Sequence, residues 1–200
     1  MFELRSNIRL FLTHPVDLDE RIKGRQGFGL IQVFTGNGKG KTTAGLGEAI
    51  RAAGAGKRVG IVFFDKGGTH YSERNILTKL GIAWIGTGRD RIDAQGRFDF
   101  SINDIDRAEA LRGVMEARQM FAEGLDLVIL DELNSTTSLG ILPLEEAVRL
   151  IDEKSDQTEL ILTGRNAPQV FLDRAHLITE MRLEKHYFYS GVKAREGLDF

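Results

Sequence analysis

Thr35-Gly36-Asn37-Gly38-Lys39-Gly40-Lys41-Thr42-Thr43 is the stretch whose reading decides the fold of this chain. A short apolar run, Leu30–Phe34, leads into it, and a helical pattern, Thr42–Ala53, leaves it. Strand, glycine-rich turn and helix together form the setting of a phosphate-binding P-loop. Glycines let consecutive N–H groups point into one concavity that a side chain would fill. A helix beginning at Lys41 adds unpaired N–H groups and the positive end of its dipole. On this reading Gly36, Asn37, Gly38, Lys39, Gly40, Lys41, Thr42 and Thr43 hold nucleotide phosphates. Lys41 places an ammonium on them, and the Thr42 hydroxyl meets Mg²⁺. The strict G-x-x-x-x-G-K-[ST] pattern has glycine at position 35, where this chain has Thr35 with Gly36 beside it.

Outward from this stretch, strands and helices alternate. The pattern predicts strands over Leu30–Phe34, Arg58–Phe64, Ile82–Ile85, Leu127–Leu130, Glu159–Thr163 and Leu177–Met181. Between them it predicts helices over Lys41–Ala53, Ser72–Leu80, Ile105–Phe121, Pro143–Glu153 and Ala167–Arg174. In the long helix Ile105, Ala108, Leu111, Val114, Met115 and Phe121 recur at helical spacing and are expected to face the sheet. Leu144, Ala147, Val148 and Ile151 are the expected inward face of the fourth helix. Alternation of this kind implies an α/β fold, a mostly parallel sheet with helices on both faces, of the P-loop NTPase (RecA-like) class. Residues 1–27 do not share the pattern. They are expected to form an N-terminal arm with a short helix from Asp17 to Lys23, ahead of a single domain over residues 28–200. Residues 86–103 make a polar loop longer than usual connections, expected to be functional or mobile.

Composition narrows the function. The chain has 200 residues, a net charge of −2 and no cysteine. There is no global basic field for nucleic acid. Disulfides, thiolate catalysis and cysteine-ligated metal sites are excluded, which suits a reducing compartment. No apolar run approaches the ~20 residues of a membrane span. The apolar start of the chain is interrupted by Glu3, Arg5 and Arg9, so it lacks the core of a signal peptide. A cytoplasmic protein is expected.

A second motif completes the nucleotide reading. Leu127–Leu130, preceded by Asp126, is an apolar strand closed by Asp131 and Glu132. An acid at the end of such a strand accepts Mg²⁺ beside the P-loop threonine. Thr42, Asp131 and Glu132 are therefore the candidate metal residues, and Lys41, Thr42 and Glu132 the candidate catalytic ones. In parallel sheets ligands bind outside the C-terminal strand ends. The loops there carry Lys66 and Arg165, which join Arg51 as candidate nucleotide contacts. His186 has no second histidine at ligand spacing, so it is a poor metal ligand. No Ser/His/Asp or Cys/His set is present, and no glutamine is placed for GTP hydrolysis.

Phe34–Ala44, Arg51-Ala52-Ala53-Gly54, Lys66-Gly67, Glu73-Arg74-Asn75 and Leu130–Leu133 form an ordered set. The set continues with Leu162–Pro168, Thr179–Arg182, Lys185-His186, Phe188, Gly191–Arg195 and Gly197. In this order they resemble the P-loop corrinoid adenosyltransferases, from about residue 30 to the end. The resemblance implies transfer of the 5′-deoxyadenosyl group of ATP to the cobalt(I) of a reduced corrinoid, with release of tripolyphosphate. It implies ATP and corrinoid as co-substrates, Mg²⁺, a reductase or flavin reductant, and a homodimer. That family carries Phe-x-Trp after the third strand, where this chain has Arg89-Asp90-Arg91. Phe98, Phe100 and Arg89 are the nearest candidates for the corrinoid. After Asp131-Glu132-Leu133 the family has an aromatic or hydrophobic patch, and this chain has Asn134-Ser135-Thr136-Thr137. Two other readings stay open: a P-loop ATPase or kinase acting at the γ-phosphate, and a nucleotide- or corrinoid-binding module without turnover.

Overall fold

In the computed structural model, which describes residues 18–91 and 99–199, the elements follow the alternation. They are β1 (Ile31–Thr35), α1 (Lys41–Gly54), β2 (Val59–Phe63), α2 (Glu73–Lys79), β3 (Ala83–Gly86) and α3 (Asp104–Ala122). Then come β4 (Leu127–Asp131), α4 (Leu133–Ser138), α5 (Leu144–Asp152), β5 (Glu159–Thr163), α6 (Gln169–Leu172) and β6 (Leu177–Glu180). All six strands pair in parallel, in the order β3-β2-β4-β5-β1-β6. The strands with continuous apolar runs occupy the middle, because a parallel strand covered by helices on both faces has no solvent side. β2, β4 and β5 are buried along their whole length, whereas β6 at the edge is exposed throughout.

Successive residues of each strand feed opposite cores. Val128 and Leu130 pack with Val62, Leu162, Val114 and Leu150 on the α3/α5 side. Ile129 packs with Ile61, Phe63, Ile161, Ala49 and Leu77 on the α1/α2 side. The sheet is thus a wall between two apolar layers, and its parallel strands bring five loops to one end.

Helix α3 is rotated about its axis from the expected orientation, so that its inward face only partly overlaps the predicted one. Ile105, Leu111 and Met115 are exposed, and only Val114 and Phe121 of the predicted stripe are buried. The inward face is built from Asp106, Ala110, Gly113, Val114, Ala117 and Met120. Small residues win there because the helix lies close: a Cβ on Gly113 would sit 2.7 Å from Phe64 Cε1. A capping box fixes the start, with the Asn103 side chain accepting from the amides of Ile105 and Asp106, and Asp106 accepting from the Asn103 amide. In α5 Leu150 is inward and Leu144 exposed, another departure from the predicted face. Helix α4 had no signal in the apolar pattern.

The described part of the N-terminal arm is a 3-10 turn, Glu20–Ile22, in place of the predicted helix. Arg21 donates to the carbonyls of Asp173 and Ala175 at 3.0 and 2.9 Å, and Arg25 to that of Asp156 at 2.8 Å. The predicted helix start at Asp17 lies outside the described residues.

Candidate nucleotide site

The P-loop glycines answer first to the protein itself. Gly36 has φ +97° and Gly40 φ +121°, values that L side chains rarely adopt. A Cβ on Gly36 would lie 2.5 Å from the Met181 carbonyl oxygen, and one on Gly38 2.7 Å from that of Arg182. The Gly38 amide donates to the Met181 carbonyl at 2.7 Å, and the Met181 amide to the Thr35 carbonyl at 2.8 Å. The segment after β6 therefore presses on one side of the loop. Thr35 closes β1, and its hydroxyl accepts from the Ala167 amide at 3.2 Å. That bond gives the residue in the missing-glycine position a structural task, and Gly36 makes the turn instead.

Above the loop, several of the predicted residues converge. Lys41 is buried, and its Nζ donates to the Gly38 carbonyl at 2.6 Å. Burial pushes its pKa down, Glu132 opposes that shift, and the Arg165 charge adds to it. Lys66 Nζ lies 2.5 Å from Asp131 Oδ2 and 3.1 Å from Thr42 Oγ1, with Glu132 Oε1 at 4.0 Å. Burial works against the Lys66 charge. The Asp131 and Glu132 carboxylates outweigh it and hold the pKa above the ordinary lysine value. The other Asp131 oxygen accepts from Thr163 Oγ1 at 2.6 Å, so the carboxylate is held in one orientation. Glu132 accepts from Ser135 Oγ at 2.5 Å, and the Arg165 amide donates to that same hydroxyl oxygen at 2.9 Å.

The backbone is also unusual here. Asp65, Glu132 and Asn166 are the non-glycine residues with positive φ among the described residues, at 51°, 61° and 52°. They stand just after β2, β4 and β5. Such conformations cost free energy and persist where the surroundings impose them, commonly at ligand sites.

Thr42 Oγ1 and Asp131 Oδ2 meet on one ammonium, so they already converge on a cation. A hydroxyl and a carboxylate are hard oxygen donors, the kind Mg²⁺ takes alongside phosphates and waters. These residues fit the ion. Among the described residues no three His, Asp or Glu side chains cluster as ligands for a metal.

Other predicted residues lie elsewhere. Arg51 is in the last turn of α1, far along the helix from the loop, exposed and paired with Glu48 at 2.9 Å. The larger cavity, about 390 Å³, opens there between Phe28, Glu48, Arg51 and Glu159, away from the P-loop. Asn37 and Thr43 are exposed. The Lys39 side chain turns from the phosphate side and donates to Tyr187 Oη at 2.8 Å, to the Leu198 carbonyl at 2.6 Å, and to Asp199. A second cavity of about 250 Å³ lies beside it, lined by Gly38, Arg182, Lys185 and His186.

Arg89 is engaged within the protein through all three of its guanidinium nitrogens. Its Nε donates to Asp106 at 2.9 Å, Nη1 to Asp99 at 2.6 Å, and Nη2 to the Ser101 carbonyl at 2.7 Å. Phe100 is exposed, and Phe98 lies outside the described residues. Asn134, Thr136 and Thr137 are buried in α4, so the segment after Glu132 presents no aromatic surface.

Several residues of the site escaped the sequence reading. Arg74 is buried over the rings of Phe63, Tyr71 and Trp84, and donates to the carbonyls of Gly68 and Lys66. It sets the backbone that carries Lys66. Thr163 and Ser135 orient the two carboxylates. Arg74 stands in the Glu73-Arg74-Asn75 stretch of the family resemblance, but nothing in that stretch says what the arginine holds.

Comparison with known proteins agrees with this geometry. Residues 27–200 match the family described as ATP:corrinoid adenosyltransferase BtuR/CobO/CobP. The corrinoid adenosyltransferase of Escherichia coli K12 is 41% identical over 174 residues, 86% of each chain. Corrinoid adenosyltransferase CobA of Salmonella typhimurium is 39% identical over the same share of both chains. The corrinoid adenosyltransferase of Pseudomonas aeruginosa is 33% identical, covering 92% of this chain and 90% of its own. Among solved structures, the flagellar accessory protein FlaH of Methanocaldococcus jannaschii shares the fold, with a TM-score of 0.53 at 13% identity. The match covers 83% of this chain and 78% of that one.

Proposed function

The chain belongs to the ATP:corrinoid adenosyltransferase family, and from that premise we propose that it transfers the 5′-deoxyadenosyl group of ATP to a cobalt(I) corrinoid, with the triphosphate leaving as one unit. The observation that carries the finer reading is the convergence of Lys41, Thr42, Lys66 and Asp131 over the P-loop. The electron pair of cobalt(I) forms the bond to C5′. The C5′–O bond breaks, and its pair goes with the tripolyphosphate. Negative charge thus builds on the triphosphate, where Lys41 and Lys66 supply positive charge and the P-loop amides supply donors. When bound, Mg²⁺ adds charge neutralisation on the phosphates, held by Thr42 and Asp131, with Glu132 beside them.

Substitution of this kind needs no protein nucleophile and no general base. It needs the ribose carbon aimed at the cobalt, and orientation alone supplies several kcal/mol of a barrier, on the order of 7 or more in favourable cases. We assign the corrinoid to the side of the site where Phe100 is exposed at the start of α3. Cytoplasmic location, a homodimer, and a separate reductase or flavin as the source of cobalt(I) belong to the same reading.

The test is the phosphate product. Incubated anaerobically with Mg-ATP and a cobalt(I) corrinoid, the protein yields a light-sensitive cobalt–carbon product and an equal amount of tripolyphosphate. ADP and orthophosphate formed without corrinoid at a comparable rate overturn the reading in favour of a γ-phosphate enzyme.

A further inference from the structure

We propose that Lys66 is a resident counter-ion: its ammonium sits between Thr42 and Asp131, where the metal would bind, and the metal must displace it to enter with the nucleotide. This inference rests on the reading that Thr42 and Asp131 receive the metal.

The geometry is specific. Lys66 Nζ touches Asp131 Oδ2 at 2.5 Å and Thr42 Oγ1 at 3.1 Å, the two protein oxygens offered to Mg²⁺. Asp131 is almost wholly buried, with 2% of its side chain exposed, and a carboxylate so placed requires a positive partner. Its other oxygen receives only the neutral Thr163 hydroxyl. Lys66 is therefore the cation that neutralises Asp131 directly. One point between two oxygens cannot hold both an ammonium and Mg²⁺, since like charges at such distance repel strongly.

The side chain can leave while its backbone stays. The Lys66 amide donates to the Thr87 carbonyl at 2.7 Å, and its carbonyl accepts from Arg74 Nη2. Both main-chain groups are fixed, and the flexible four-carbon stem pivots from them. Glu132 Oε1, at 4.0 Å from Nζ, is a second carboxylate within reach of that stem. Displaced from Asp131, the ammonium gains the phosphates of the arriving nucleotide. Metal and nucleotide then become mutually dependent. Free metal finds Asp131 already neutralised, and metal-nucleotide brings both the replacement cation and a new partner for Lys66.

Mn²⁺, with its electron paramagnetic resonance signal, tests this without turnover. Wild-type protein, Lys66→Met, Lys66→Gln and Lys66→Met/Asp131→Asn are titrated with Mn²⁺ in the absence of nucleotide. Removing the ammonium is expected to tighten Mn²⁺ binding by about tenfold or more, and adding Asp131→Asn to abolish the gain. Circular dichroism first establishes that each variant is folded. If Lys66→Met fails to fold, Lys66→Gln keeps the polar contact without the charge and carries the test. Mn²⁺ binding unchanged in the folded variant, or a gain that survives Asp131→Asn, overturns the proposal. Wild-type adenosyl transfer is measured on the same preparation. Transfer without the Mn²⁺ gain discards the resident cation and keeps the function. A Mn²⁺ gain without transfer does the reverse.

Discussion

Two clusters of basic residues stand at the same end of the sheet, and they are built on opposite principles. Over the P-loop, Lys41, Lys66 and Arg165 gather around Asp131 and Glu132, and Lys41 touches only a carbonyl. At the start of α3, Arg89 and Arg91 are matched by Asp65, Asp99 and Asp106. Arg91 lies 2.7 Å from Asp65 and 3.3 Å from Asp106, and its Nη1 donates to the carbonyls of Asp99 and Ser101. In the first cluster burial lowers the pKa of a lysine whose ammonium meets only a carbonyl, and its positive charge is left for an anionic ligand. In the second both guanidinium groups are paired with carboxylates of the protein. A count of arginines and lysines does not separate a binding site from a clamp; the carboxylates opposite them do.

The largest effect that would test this contrast is on stability. Asp106 has no exposed side-chain surface, accepts from Arg89 and the Asn103 amide, and faces Arg91. Asp106→Ala removes the buried carboxylate that Arg89 and Arg91 share, leaves them Asp99 and Asp65, and opens the capping box. Loss of one partner of a buried ion pair costs about 3–5 kcal/mol. Urea unfolding should register a loss of that size, while the Kd for Mg-ATP of the folded fraction stays within about twofold. An equal loss of ATP affinity would show that the clamp and the cradle are one unit.

The opposite split is expected for Lys41→Ala. Its ammonium is buried at a cost and answered only by a carbonyl, so removing it affects the free protein little. In the complex it loses charge-assisted contacts to phosphate, worth about 2–3 kcal/mol, or roughly 30- to 150-fold in Kd by calorimetry. Unfolding should shift by less than about 1 kcal/mol. A folded Lys41→Ala protein that binds Mg-ATP like the wild type would remove the basis for calling this end a nucleotide site.

The sequence makes the first cluster legible and hides the second for a physical reason. Gly36–Thr42 and Asp131 are bound to fixed offsets from a strand end, because a phosphate cradle and its metal position are local backbone geometry. Lys66 and Arg165 could be placed by topology alone, since parallel strands send their following loops to one end. Arg89 could not, because its partners Asp99 and Asp106 lie on a loop and a helix cap whose approach is a matter of tertiary packing. Arg51 stands apart from the other candidates for a simpler reason: ten residues of helix carry it about 15 Å from the loop that precedes it. The same limit shows in Lys39, whose position in the motif suggests phosphate but whose side chain is drawn off by Tyr187 and Asp199.

The smallest effect probes α3, where apolar periodicity gave the wrong face. Gly113 is pressed to within contact of Phe64, so Gly113→Ala overpacks the core and costs about 1–3 kcal/mol, although alanine is the better helix former. Met115 is two residues further on, apolar and 60% exposed. Met115→Gln should change stability by no more than about 0.5 kcal/mol, the ordinary range of a surface substitution. Were the predicted stripe inward, the ranking would invert, with Met115 costing about 2–5 kcal/mol and Gly113 little. A third outcome is informative in its own way. If Met115→Gln costs more than about 1 kcal/mol, and the loss grows with protein concentration, the exposed Ile105, Leu111 and Met115 are covered by a second copy of the chain. Unfolding curves at two protein concentrations, about fiftyfold apart, separate these cases, because burial within one chain is independent of concentration and burial between two chains is not.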